Sequence, residues 1–82
     1  MVAVFFDENF EKNIRKIKDN LLKEKIKKQI EKIINNPEIG KPIRYTRIST
    51  REVYISPYRL SYIYLKNEDK IIILELYHKD EQ

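Results

Sequence analysis

The chain begins with a block of apolar residues. Residues 2–6 read Val-Ala-Val-Phe-Phe, types that suit a buried strand. The rhythm then changes. Phe10, Ile14, Ile17 and Leu21 recur at spacings of four, three and four, which places them on one face of a helix. Asp7 stands ahead of that stripe with a side-chain oxygen able to cap the helix, and Glu8 and Glu11 suit its positive end. A break is expected at Asp19-Asn20, with Asn20 as the cap of a second helix. That helix carries Leu22, Ile26, Ile30 and Ile33 or Ile34 at the same rhythm, and Asn35-Asn36-Pro37 ends it, because proline disfavours helical geometry in the residue before it.

Beyond the single glycine, Gly40, the pattern becomes β-rich in Tyr, Arg, Ile and Val. Strands are expected over residues 43–48, 51–55, 58–65 and 70–78, with turns at Ser56-Pro57 and over residues 66–69. If Ser56 and Pro57 are the two central turn residues, Ile55 faces Tyr58, and Tyr54–Arg59, Val53–Leu60 and Glu52–Ser61 follow as pairs. Opposed residues share a face, so Val53, Ile55, Leu60 and Tyr62 point to the core. Glu52, Tyr54, Arg59 and Ser61 then point away from it. A one-residue slip would invert this assignment, and Pro57 marking a bulge is the other possibility. The order of strand, two helices and a strand meander implies an α+β fold. It would be a small antiparallel sheet with an N-terminal strand and a two-helix hairpin packed on one face. No linker or repeat divides the chain, so residues 1–82 are expected to form one domain.

Charge adds direction. Seventeen Lys and Arg against thirteen Asp and Glu give a formal +4, a balance that favours polyanionic partners through counterion release. The arginines are segregated. Arg44, Arg47, Arg51 and Arg59 fall within sixteen positions that hold one acid, Glu52, and the aromatics Tyr45, Tyr54 and Tyr58. Guanidinium forks match phosphate oxygens, and tyrosine rings stack on unpaired bases. Arg44, Arg47, Arg51, Tyr54 and Tyr58 are therefore the candidate RNA contacts; the alternative is that the arginines decorate strand edges and pair with helix carboxylates. His78, the only histidine, is a candidate general acid or a solvated residue near the chain end. With no cysteine and one histidine, neither a zinc site nor another metal or cofactor is expected. No apolar run approaches the ~20 residues that cross a bilayer, and the first ten residues lack the basic start of a signal peptide. No membrane partner is expected, and the cytoplasm is the expected location.

The run from Arg51 to Tyr62 resembles the hairpin of the RelE/ParE toxin superfamily, whose Tyr-Arg-aliphatic-x-Tyr signature is matched by Tyr58, Arg59, Leu60 and Tyr62. The apolar strand leading to His78 resembles that family's closing strand, and the order of elements agrees over nearly the whole chain. The resemblance implies the toxin of a toxin–antitoxin system, held in check by a cognate antitoxin. RelE-like members act at the ribosome, where they cut messenger RNA and stop translation without metal, the ribose 2′-oxygen attacking the adjacent phosphorus. On that reading the catalytic residues are Arg59 for the charge on phosphate, His78 as the acid and Glu52 as the base. ParE-like members share the scaffold and target DNA gyrase; an inactive, RNA-binding or antitoxin-binding relative is the remaining alternative.

Overall fold

The computed structural model describes residues 2–43 and 50–81. The elements are β1 (Ala3–Phe6), α1 (Glu8–Lys16), α2 (Asn20–Asn35), β2 (Lys41–Pro42), β3 (Thr50–Ile55), β4 (Tyr58–Leu65) and β5 (Lys70–His78). The five strands form one sheet in the order β1-β5-β4-β3-β2. The strand expected over residues 43–48 lies outside the described residues except for Ile43, whose N–H donates to the Thr50 carbonyl at 3.2 Å. The expected α+β architecture is present, with one refinement: the sheet is mixed. β1 pairs with β5 in parallel, while all other neighbours are antiparallel. Three reversals leave β5 running opposite to β2 and in the same direction as β1.

Local chemistry sets the helix limits. Asp7 caps α1 by accepting the Asn9 N–H at 2.8 Å, and Ile17 ends it in an extended conformation. The cap of α2 is Asp19, not Asn20 as the sequence suggested: Asp19 Oδ1 accepts the N–H groups of Leu21 at 2.9 Å and Leu22 at 3.3 Å. A carboxylate there also meets the positive end of the helix dipole, and Asn20 becomes the first helical residue. One consequence is that Leu21 leaves the apolar stripe of α1. It opens α2 instead and is 67% exposed.

Phe10, Ile26 and Ile33 bring the helices onto the sheet, where Ile55, Leu60, Tyr62, Ile71, Ile73 and Leu76 complete the core. The register of β4 on β5 holds an irregularity. Ser61 faces Glu75 but Tyr62 faces Ile73, which leaves Leu74 without a partner. An extra residue of this kind is a β-bulge, and it reverses the inward–outward alternation beyond it. Ile71 and Ile73 face the helices before the bulge, and Leu76 does so after it. β1 stops at Phe6, beside Ile73, well short of the end of β5. Past that point the Leu76 N–H donates to Asn13 Oδ1 of α1 at 2.9 Å, so a side chain takes over from the missing strand.

Tyr62 ties the loop after α2 to the sheet. Its hydroxyl donates to the Pro37 carbonyl and accepts the Gly40 N–H, both at 2.8 Å. A Cβ at residue 40 would lie 2.5 Å from that oxygen, so only glycine fits. Burial pushes the Tyr62 phenol above its ordinary value of 10.0, opposed by the Gly40 hydrogen bond and the Arg51 charge. A phenol that holds its proton more tightly in the folded state contributes stability below pH 10 that is lost as pH rises past it. Tyr62→Phe should cost about 1–3 kcal/mol at neutral pH, the usual loss for buried hydrogen bonds. The gap from wild type should shrink above about pH 10. Urea unfolding between pH 7 and 11 tests this; a gap that stays constant would contradict the raised phenol.

Candidate active site

The hairpin register expected from the sequence is the one observed: Ile55–Tyr58, Tyr54–Arg59, Val53–Leu60 and Glu52–Ser61 are partners, with Ser56 and Pro57 at the turn. Alternation then divides the chemistry between two faces. On the face away from the helices, Tyr77, Arg59 and Tyr54 form one row across β5, β4 and β3, and Glu75, Ser61 and Glu52 form the next. On the helix side, His78, Tyr58 and Ile55 share a row beyond that of the buried Leu76 and Leu60 and the partly buried Val53.

The outer face holds a compact polar cluster. Arg59 Nη1 donates to Glu52 Oε1 at 2.9 Å, and the Tyr77 hydroxyl donates to Glu52 Oε2 at 2.7 Å. Both carboxylate oxygens are thus engaged, one by a cation and one by a phenol. The Arg59 and Glu52 side chains are 35% and 19% exposed, so the pair is accessible yet held in place. Tyr54, 53% exposed, flanks Arg59 and lies within 3.4 Å of Ser56 Oγ through its hydroxyl. Ser61 was expected in the open on this face; it is 5% exposed, between Glu52 and Glu75 in the ladder, with its hydroxyl 3.5 Å from the Glu75 carbonyl.

The other candidates go elsewhere. Arg51 faces the helix side as the partner of Tyr62. Its Nη1 donates to the carbonyls of Glu38 at 3.0 Å and Gly40 at 2.7 Å, so it holds the loop after α2. Tyr58 packs against the core and meets His78 edge-on, with ring centroids 5.6 Å apart. His78 is therefore separated from Arg59 and Glu52 by the sheet itself. Its Nδ1 accepts the Asp80 N–H at 3.2 Å, which puts the proton of the neutral ring on Nε2. Arg44 and Arg47 lie outside the described residues. Sequence reasoning brought Glu52 and Arg59 together correctly in space and set His78 with them; it missed Tyr77. Glu52 and Tyr77 are 25 residues apart, and only the bulge in β5 puts the phenol on the same side as Glu52. Among the described residues no cluster of three His, Asp or Glu side chains is placed to hold a metal. Nor is any helix there long and apolar enough to cross a membrane.

A two-helix layer on one face of a five-stranded sheet, with an arginine–carboxylate pair on the other, is the arrangement built here, and its backbone is shared with known toxins. The chain is similar to Escherichia coli RelE in the intact RelBE toxin–antitoxin complex, with a TM-score of 0.80 and 22% identity over 95% of this chain and 96% of that one. The toxin–antitoxin complex RelBE2 of Mycobacterium tuberculosis holds a chain with a TM-score of 0.78 and 22% identity, covering 95% of this chain and 98% of that one. In the RelB–RelE complex of Methanococcus jannaschii the values are 0.74 and 20%, over 94% and 92%. A comparison with curated proteins finds no significant match. Residues 4–82 match the ParE toxin of type II toxin-antitoxin system, parDE, and the chain belongs to this family within the RelE/ParE toxin superfamily.

Because the Arg59–Glu52 pair is partly solvated, its coupling should be modest, about 0.5–1 kcal/mol. A double-mutant cycle with Glu52→Gln and Arg59→Met, followed by urea unfolding, measures it. Coupling indistinguishable from zero would mean that the pair does not hold the cluster together.

Proposed function

We propose that this toxin cuts ribosome-bound messenger RNA without metal, and that a cognate antitoxin protein neutralises it. The observation that carries the reading is the cluster of Glu52, Arg59 and Tyr77 on the sheet face left open by the helices. Cleavage by an internal nucleophile needs three services. A base removes the proton of the ribose 2′-hydroxyl as its oxygen attacks phosphorus. A cation balances the charge that grows on the phosphate oxygens, and an acid protonates the departing 5′-oxygen. The products are a 2′,3′-cyclic phosphate and a free 5′-hydroxyl.

Glu52 is the proposed base, since a carboxylate held from both sides needs no reorientation when substrate arrives. Arg59 is the proposed cation; in binding phosphate it exchanges one anionic oxygen for another. His78 faces the helices, so the acid on this side of the sheet is a phenol, and Tyr77 is the candidate. Tyr54, exposed beside Arg59, suits stacking on an unpaired base. Arg44 and Arg47, which precede β3 in sequence, are proposed contacts for flanking phosphates. The similar E. coli and M. tuberculosis structures are toxin–antitoxin complexes, which supports an antitoxin partner for this chain.

Purified wild-type protein should cut a message on programmed ribosomes, leaving cyclic phosphate ends. Glu52→Gln and Arg59→Ala should slow the cut by roughly 10²–10³-fold, the usual loss when a general base or a charge-stabilising donor is removed. His78→Ala should retain the wild-type rate within a few fold. Intact messages with folded wild-type protein would overturn the enzymatic reading.

A second reading, inhibition of DNA gyrase by protein contact, is favoured by one observation: the family that matches is the ParE toxin family. A balanced Glu52–Arg59 pair also suits a surface that docks without chemistry. On this reading the protein blocks gyrase supercoiling, and Glu52→Gln blocks it equally well. Full supercoiling at large protein excess would eliminate it.

A further inference from the structure

On the helix side of the sheet, opposite the Arg59 cluster, a cleft of about 610 Å³ opens between the α1–α2 turn and the tip of the β3–β4 hairpin. Its size falls in the range of small-molecule pockets, roughly 300–1,000 Å³. The walls differ in chemistry. Ile17, Leu22 and Leu76 supply apolar surface, and Lys16, Lys18 and Lys25 supply cations. Some lysines have carboxylate neighbours, as Lys12 lies 3.7 Å from Glu8 and Lys70 lies 3.5 Å from Glu68, whereas several on α2 have none among the described residues. Among the described residues Lys16, Lys18 and Lys25 form no such pair. One carboxylate lines the cleft, that of Asp19, and its Oδ1 is already occupied by two backbone N–H groups of α2.

His78 and Tyr58 complete the lining. Their edge-to-face contact orients the imidazole, and its Nδ1 accepts the Asp80 N–H at 3.2 Å. Nε2 is the nitrogen left as a donor. Apolar surface from Ile17 and Leu22 over the nearly buried Leu76, beside three ammonium groups and one imidazole donor, matches a ligand with an apolar face and a compact negative group.

We propose that this cleft binds a nucleoside monophosphate unit, with its base on Ile17, Leu22 and Leu76 and its phosphate at the lysine rim and His78 Nε2. The unit is either a free nucleotide or the 5′-phosphorylated end of an RNA strand. The proposed contacts include neither Arg59 nor Glu52, although Tyr77, whose hydroxyl meets Glu52, also borders the cleft.

The test is a titration of the ¹⁵N-labelled full chain, followed by amide and imidazole resonances, with AMP, adenosine, inorganic phosphate, and a tetranucleotide with and without a 5′-phosphate. AMP should move the resonances of Leu22, Leu76 and His78 as a group, and adenosine or phosphate alone should bind at least about tenfold more weakly, since each lacks one half of the contacts. His78→Ala should weaken AMP about tenfold or more, the scale for losing a charge-assisted hydrogen bond. Lys18→Ala, at an exposed position that cannot disturb the fold, should weaken it measurably, and Arg59→Ala should leave it unchanged. A phosphorylated tetranucleotide binding more tightly than AMP identifies the strand end; equal or weaker binding identifies the free nucleotide. The proposal is overturned if AMP moves none of these resonances at millimolar concentration. It also fails if inorganic phosphate reproduces the whole effect, or if Arg59→Ala abolishes it.

Discussion

One unpaired residue in the last strand decides which side chains can meet. β5 lies between β1 and β4 and must present an apolar face to the helices along its whole length. Ile71 and Ile73 meet that demand at odd positions. Continued alternation would next send Glu75 and Tyr77 inward, turning a carboxylate toward the apolar core. Leaving Leu74 outside the ladder shifts the parity, so Leu76 turns inward while Glu75 and Tyr77 turn out. The bulge thereby serves the core and the open face together: it completes the buried set with Leu76 and delivers the Tyr77 hydroxyl to Glu52.

The same shift has a backbone consequence. β1 ends at Phe6, where the chain must turn into α1, so the outer edge of β5 beyond Ile73 has no strand beside it. An unmet N–H there would be expensive if shielded from water. Asn13 meets the one at Leu76, which fixes α1 against β5. At the opposite side of the sheet, Arg51 and Tyr62 do comparable work for the loop between α2 and β2, through the carbonyls of Pro37, Glu38 and Gly40. The helical layer is thus fastened to the sheet by side chains that satisfy backbone groups. The sheet's outer face carries none of these fastenings, and it is where Glu52 and Arg59 lie.

How far the chain discloses this arrangement depends on whether a feature is local. The β3–β4 register was readable because Ser56-Pro57 limits the turn and the flanking residues alternate in polarity, so Tyr54–Arg59 and Glu52–Ser61 followed directly. The helical stripes were readable from spacing, apart from the boundary at Asp19-Asn20, where two good capping residues stand side by side and only geometry chooses between them. The bulge was not readable. Residues 71–74 are Ile-Ile-Ile-Leu, a run with no polar position to reveal its parity. His78 was set with Arg59 and Glu52 by the family resemblance alone, and the register of β5 turns it to the other face. The roles of Arg51 and Tyr62 were also hidden, since their hydrogen bonds go to main-chain carbonyls and an N–H from the loop after α2, which no pattern of side chains announces.

The result is a domain whose cations are sorted by what surrounds them. Arg59 has lost much of its water and gained a carboxylate, so its charge is held in one direction but largely balanced within the face. A phosphate must compete with Glu52 for it, which makes recognition there depend on geometry more than on bulk charge. Lys16, Lys18 and Lys25 are solvated and lack carboxylate partners among the described residues, so their attraction for anions is less oriented and more sensitive to salt. The net +4 of the sequence therefore resides more in the lysines than at the arginine cluster.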